Sequence, residues 1–293
     1  MRGAIIINAY STNADALYQP RRLKEEFERK GVAADIIHND SFLTMIDGDR
    51  ICCSCADYDF IVYLDKDKYT LRGLSKLGVQ LFNPYDGIMA CDDKMMTYYE
   101  LAGSGVRIPK TMPGLLCYAP EERIKDETVE RIESELSYPL VVKECYGSLG
   151  KGVHLISNRN ELLDIMERLK CVEHLFQEYI DTSYGKDVRV IVIGDQVIGA
   201  MLRSSENDFR SNIGNGGKGL LFPVDDEIRD IALNVTRTLK LDYCGIDLLF
   251  GPDDTYYVCE VNSNAFFSTF EKVTGINVAK RYAEYILDSV RGK

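Results

Sequence analysis

The chain has 293 residues, enough to bury a large core in two or three domains. Hydrophobic residues make up 45% and charged residues 28%, the balance of an ordinary globular protein. A net charge of −11 argues against non-specific binding of nucleic acid or an anionic membrane, both of which need a basic surface, but leaves room for a local basic pocket.

The first eight residues carry one arginine ahead of a short apolar run. That run is too short for an export signal, and no stretch is long enough to span a bilayer. Nine cysteines are scattered along the chain, so reduced thiols in the cytoplasm are expected. Cys52-x-x-Cys55 has no second pair at zinc spacing, and local burial is expected for it.

Ala4-Ile5-Ile6-Ile7 reads as a buried strand. Pro20 opens a helix over 21–30, with Leu23 and Phe27 at helical spacing and Gly31 as its stop. Further strands are expected at 32–37, 60–64 and 79–82, with a helix over 69–77 between the last two. Such alternation implies a small parallel layer. The segment after the first strand lacks Gly-x-Gly-x-x-Gly, so a nicotinamide oxidoreductase is not supported.

Asp92 and Asp93 are candidate caps for a helix over 94–102. Pro120 opens a charged helix over 121–136. Tyr138-Pro139-Leu140-Val141-Val142-Lys143 then ends an apolar strand in a lysine, which must snorkel outward or meet an anion. Gly147-Ser148-Leu149-Gly150-Lys151-Gly152 follows, and its glycines let backbone amides approach an anion. It leads into another strand instead of a helix, so it reads as a hairpin lid over phosphates and not a Walker loop. A plain flexible turn is the competing reading; the lysine just ahead favours a nucleotide.

Residues 175–180 form the next strand, and residues 188–201 form a hairpin turning at Gly194-Asp195. Arg203 and Phe209-Arg210-Ser211-Asn212 follow; arginine offers forked donors to phosphate or carboxylate oxygens. A helix over 225–239 feeds a second hairpin, Gly245-Ile246-Asp247-Leu248-Leu249-Phe250 and Thr255 to Asn262, around the turn Gly251-Pro252-Asp253-Asp254. If Phe250 pairs with Thr255, Asp247 faces Val258 and lies one diagonal step from Glu260 on the same face. Two carboxylates so placed, without histidine or thiolate, suit Mg²⁺ or Mn²⁺. A polar face meeting solvent is the alternative. A final helix covers 277–290.

Taken in order, Asp93-Lys94, the Lys143 strand, the glycine loop, Gln-Glu-Tyr-Ile at 177–180, Asp-Val-Arg-Val at 187–190, Phe-Arg-Ser-Asn at 209–212, Gly-Ile-Asp-Leu-Leu at 245–249 and Glu-Val-Asn-Ser at 260–263 resemble the ATP-grasp superfamily, most closely its RimK-type amino-acid ligases. The resemblance implies a mixed α/β and α+β ATP-grasp fold. It comprises an N-terminal Rossmann-like pre-ATP-grasp domain over 1–84, a central subdomain with the glycine-rich lid over 85–172, and a C-terminal subdomain with the metal hairpin over 173–293. It implies an ATP-dependent carboxylate–amine ligase acting through an acyl phosphate, with ATP and two Mg²⁺ or Mn²⁺. A non-catalytic ATP-binding module of the same fold is the rival. Lys94 and Lys143 would contact phosphates, and Gly147, Ser148, Gly150 and Gly152 would form the lid. Gln177, Glu178, Tyr179 and Ile180 would hold adenine, Asp187 would be the ribose-side contact, and Arg210, Ser211 and Asn212 would form the nucleotide loop. Asp247, Glu260 and Asn262 would bind metal, Arg203 and Arg210 would act in catalysis, and Arg189 and Asn264 would meet substrate. Carboxylate and amino-acid substrates are implied, with a homodimer or homotetramer as the assembly. After Glu-Val-Asn the chain departs from relatives that carry Pro-Gly near Asn264-Ala265; Phe266 and Phe267 stand here.

Overall fold

The first quarter runs β1 (Arg2–Ile7), α1 (Ala14–Arg29), β2 (Ala33–His38), β3 (Thr44–Asp47), β4 (Arg50–Cys53), β5 (Phe60–Tyr63), α2 (Lys68–Lys76) and β6 (Leu81–Phe82). A computed structural model describes residues 1–41, 44–53, 58–148, 150–211 and 217–292. Strands β2-β1-β5-β6 form a parallel sheet, the expected layer. Helix α1 begins well before the expected position. Asn13 caps it by accepting from the Asp15 amide, and Pro20 lies inside it. Proline removes one backbone bond, but Tyr18 before it and buried Leu23 and Phe27 after it pack into the same core and hold the helix through that loss. The exposed hairpin β3–β4 was not anticipated, because its short strands carry no alternating pattern. The expected burial of the cysteine pair fails at Cys52, which is exposed, and Cys55 lies outside the described residues.

The middle runs α3 (Tyr85–Asp92), α4 (Lys94–Leu101), β7 (Thr111–Pro113), α5 (Asp126–Glu135), β8 (Leu140–Glu144), β9 (Val153–Ile156), α6 (Arg159–Leu169) and β10 (His174–Glu178). Asp93 caps α4 by accepting from the Met95 and Met96 amides, whereas Asp92 ends α3 and pairs with Lys66. The charged helix starts at Asp126 and not at 121; Asp126 and Glu127 in its first turn suit the positive helix end. Strands β7-β10-β8-β9 form an antiparallel sheet. Leu140, Val142 and Phe176 pack under α5 and α6, so the alternate residues Val141, Lys143 and Gln177 face the other way.

The rest runs β11 (Lys186–Ile193), β12 (Gln196–Ser204), β13 (Lys218–Phe222), α7 (Asp226–Thr238), β14 (Tyr243–Phe250), β15 (Tyr256–Asn262), α8 (Ser268–Thr274) and α9 (Val278–Arg291), with sheet order β13-β12-β11-β14-β15. Gly194 takes φ +56° in the two-residue turn between β11 and β12, where its missing side chain is needed. On β11, Val188, Val190 and Val192 pack with α7, while Ile191 and Ile193 join a core shared with α9 and the N-terminal sheet. Asp187 and Arg189 continue that second face beyond the core, where charge can be tolerated. Among the described residues no helix is long and apolar enough to cross a membrane.

The β14–β15 register differs from expectation. Phe250 pairs with Tyr256, not Thr255, because Pro252–Asp254 form a 3₁₀ turn. Leu248 then pairs with Val258 but Asp247 with Glu260, so Cys259 is an extra residue in a bulge.

Candidate active site

The two antiparallel sheets face each other across a cavity of about 940 Å³, its mouth included. Six basic residues (Lys94, Lys143, Lys151, Lys186, Arg203 and Arg210) line it against five acidic ones. In a chain of net charge −11, that local balance marks a place for an anion.

One wall is apolar. Val141 on β8 and Leu249 on β14 approach from opposite sheets, and Ile180 and Tyr179 close the edge. Gln177 is buried and donates to Thr111 Oγ1 at 2.8 Å. Glu178 turns its carboxylate outward and accepts from the Lys110 amide, 3.1 Å away.

The lid lies opposite. Gly147, Ser148, Gly150 and Gly152 all line the cavity in the connection from β8 to β9, with Leu149 outside the described residues. Arg210, clamped by Asp208, donates to the Gly150 carbonyl at 2.7 Å and ties the lid to the connection between β12 and β13. Lys94 reaches the Gly147 carbonyl at 3.1 Å. Burial lowers the Lys94 pKa, and Glu260 opposes the shift only in part. Lys143 is 5% exposed, at 3.3 Å from the Tyr98 hydroxyl and 3.6 Å from Cys259 Sγ. Burial works against its ammonium, but Cys259, Tyr98 and Glu260 outweigh it and raise its pKa.

Across the cavity floor, charges alternate in a row. Arg203 on β12 makes a two-pronged pair with Asp187, both bonds 2.6 Å, and Ser211 Oγ donates to the same carboxylate. Arg189, two residues along β11, makes a two-pronged pair with Asp247 on β14. Arg203 also reaches Asp247 at 2.8 Å. Burial raises the Asp187 carboxyl, whereas Arg189 and Arg203 overcome burial at Asp247 and hold it low. Glu260 stands opposite Asp247, and its carboxylate has no hydrogen-bond partner among the described residues. Asn262 sits opposite Gly245 on the same face.

The cavity thus gathers Lys94, Lys143, the lid glycines, residues 177–180, Asp187, Arg203, Arg210, Ser211, Asp247 and Glu260. Arg189, Asn262 and Asn264 do not line it; Arg189 is engaged with Asp247, and Asn264 donates to the Leu64 carbonyl of the N-terminal sheet. Asn212 lies outside the described residues. Sequence reasoning missed Val141, Leu249, Lys186 and Cys259. Val141 and Leu249 were readable as two-residue neighbours of Lys143 and Asp247. Cys259 was not, because only the bulge brings it to the side of Glu260.

Among the described residues no three His, Cys, Asp or Glu side chains form a metal cage. Asp247, Glu260 and Asn262 offer hard oxygens only, which suits magnesium completed by phosphate oxygens and water.

A model of the RimK-like ATP-grasp domain matches residues 91–286. N-acetylaspartylglutamate synthase A of Homo sapiens is 39% identical over 228 residues, covering 77% of this chain and 57% of that protein, so the chain spans little more than half that relative's length. Ribosomal protein bS6–L-glutamate ligase of Escherichia fergusonii is 33% identical over 222 residues, 74% of this chain and 70% of that one. The crystal structure of D-alanine–D-alanine ligase from Bacillus anthracis complexed with ATP shares the fold, with a TM-score of 0.74 at 17% identity over 99% of this chain and 97% of that one.

Proposed function

The chain belongs to the RimK-like ATP-grasp family, and from that premise we propose that it is an ATP-dependent carboxylate–amine ligase that joins the amine of an amino acid such as glutamate to an acceptor carboxylate. One observation carries the reading: Asp247 and Glu260 are paired directly across two strands, on the floor of a basic cavity that also holds Lys143. The names of the two relatives, a synthase of N-acetylaspartylglutamate and a glutamate ligase, support glutamate as the amine.

ATP would lie with its base between Val141, Ile180 and Leu249 and its phosphates under the lid, near Lys94 and Lys143. Asp247, Glu260 and Asn262 would hold two magnesium ions, which shield phosphate charge when bound. Arg189 and Arg203 keep Asp247 ionised and fixed, and Arg203 stands where it can steady a transferred phosphoryl group. An acceptor carboxylate oxygen attacks the γ-phosphorus and ADP leaves. The amine nitrogen then attacks the acyl carbon, the carbon–oxygen bond to phosphate breaks with its electron pair leaving on the phosphate, the nitrogen's proton passes to that phosphate, and amide and inorganic phosphate are released. No protein nucleophile is required. The Arg210–Gly150 bond closes the lid against water that would hydrolyse the acyl phosphate.

The test is ADP release with glutamate against a panel of acceptors: N-acetylaspartate, citrate and a peptide with a free C-terminus. Release that needs both partners, with the matching amide by mass spectrometry, is expected. Tight ATP binding without turnover on any pair would favour a non-catalytic nucleotide module.

A further inference from the structure

We infer that Tyr98 is a positioning residue for the cavity: its single hydroxyl sets the Lys143 ammonium and the β15 strand at Glu260 relative to each other. The inference rests on the nucleotide reading of the cavity given above.

Tyr98 lies one helical turn after Lys94 on α4, so both point from the same face. It is 3% exposed and packs with Cys145 and Leu175. Its hydroxyl donates to the Cys259 carbonyl at 2.5 Å and accepts from Lys143 Nζ at 3.3 Å. The Lys143 ammonium also lies 5.9 Å from the centre of the Tyr98 ring.

These bonds join three elements at one oxygen. Strand β8 brings Lys143, helix α4 brings the tyrosine, and β15 brings the peptide immediately before Glu260. The bulge at Cys259 frees that carbonyl from the β14–β15 ladder, and Tyr98 satisfies it. A long lysine side chain otherwise samples many rotamers; an acceptor on one side and the ring face on another restrict it to the cavity. Tyr98 lines no part of the cavity, so it acts through Lys143 and Glu260 and not on the nucleotide.

The experiment is magnesium–ADP binding by calorimetry, without any acceptor, to the full chain and to Tyr98→Phe, Lys143→Met and the double variant. Thermal melting checks that each is folded. Tyr98→Phe keeps the ring and removes the oxygen, and a 5- to 10-fold weaker affinity is expected, by order of magnitude about one lost hydrogen bond. In the Lys143→Met background the same change should cost less than in the unaltered chain, because only the link to the Cys259 carbonyl is left to lose. Equal affinity of Tyr98→Phe and the unaltered protein, or equal losses in both backgrounds, would overturn the inference while leaving the ligase reading intact. No nucleotide binding by the unaltered protein would instead remove the ligase reading itself. If Tyr98→Phe melts below the assay temperature, the same comparison is made with all four proteins at a temperature below its melting point.

Discussion

Asp247 and Glu260 face each other as a direct cross-strand pair because Cys259 is an extra residue in β15. Without the bulge, the Leu248–Val258 register would carry on and set Cys259 opposite Asp247. Like charges directly opposite on a sheet repel, so the arrangement costs stability unless a cation lies between them. Arg189 and Arg203 bond Asp247 directly, whereas Glu260 makes no direct ion pair among the described residues and is met by Lys94 and Lys143 only through space.

Glu260→Gln should separate stability from activity. Removing one of two opposed carboxylates relieves repulsion but gives up the through-space attraction of Lys94 and Lys143, so the melting temperature without metal should change little. ADP release should fall by about 100-fold or more, the scale of losing one strong electrostatic contact at a reacting centre. Near-normal turnover would discredit the proposed metal ligand.

Gly245 lies beneath the Arg189–Asp247 pair. A methyl group there would come within 2.5 Å of the Ala265 side chain and 3.1 Å of Arg189 Cδ. Ala265 is buried and cannot yield, so Gly245→Ala should cost about 1–3 kcal/mol. It should also shift Arg189 and slow turnover. A thermal melt and an ADP assay read both effects; an unchanged variant would show that the guanidinium position does not matter.

Alkaline pH should weaken ATP binding. Burial lowers the Lys94 pKa below the usual lysine value of 10.5. The free protein therefore loses this cation as pH rises through the lowered value, before an exposed lysine would titrate. Bound phosphates favour the ammonium, so binding takes up a proton, and affinity should fall by up to about tenfold per pH unit beyond that point. Lys94→Arg should flatten this limb; a limb that persists would assign it to another group.

Arg210→Ala should loosen the lid by removing its bond to the Gly150 carbonyl. Water would then reach the acyl phosphate, and more ADP would appear per amide formed. The ADP-to-amide ratio is the readout, and an unchanged ratio would exclude a sealing role for Arg210.

Much of this was legible in the chain. Asp93 caps α4 as its side chain allows, the helices expected over 225–239 and 277–290 form within a residue of those bounds, and the Gly194-Asp195 turn joins two clean apolar runs. Lys143 stood out because an apolar strand rarely ends in a buried cation. What stayed hidden depends on non-local geometry. A bulge has no local signature in Tyr-Tyr-Val-Cys-Glu-Val-Asn, so the diagonal carboxylate pair was expected in place of the direct one. Arg189 looked free for a substrate because its cross-strand partner, Asp247, lies 58 residues away. Helix α1 was cut short because Pro20 was read as a start, when tertiary burial carries the helix through it.

The most direct test of the central claim is a manganese titration in the presence of ADP, followed by electron paramagnetic resonance, on the unaltered chain and on Glu260→Gln. Tightly bound manganese is expected in the unaltered chain, with at least one site fewer in the variant. Equal manganese binding by both proteins would contradict that claim.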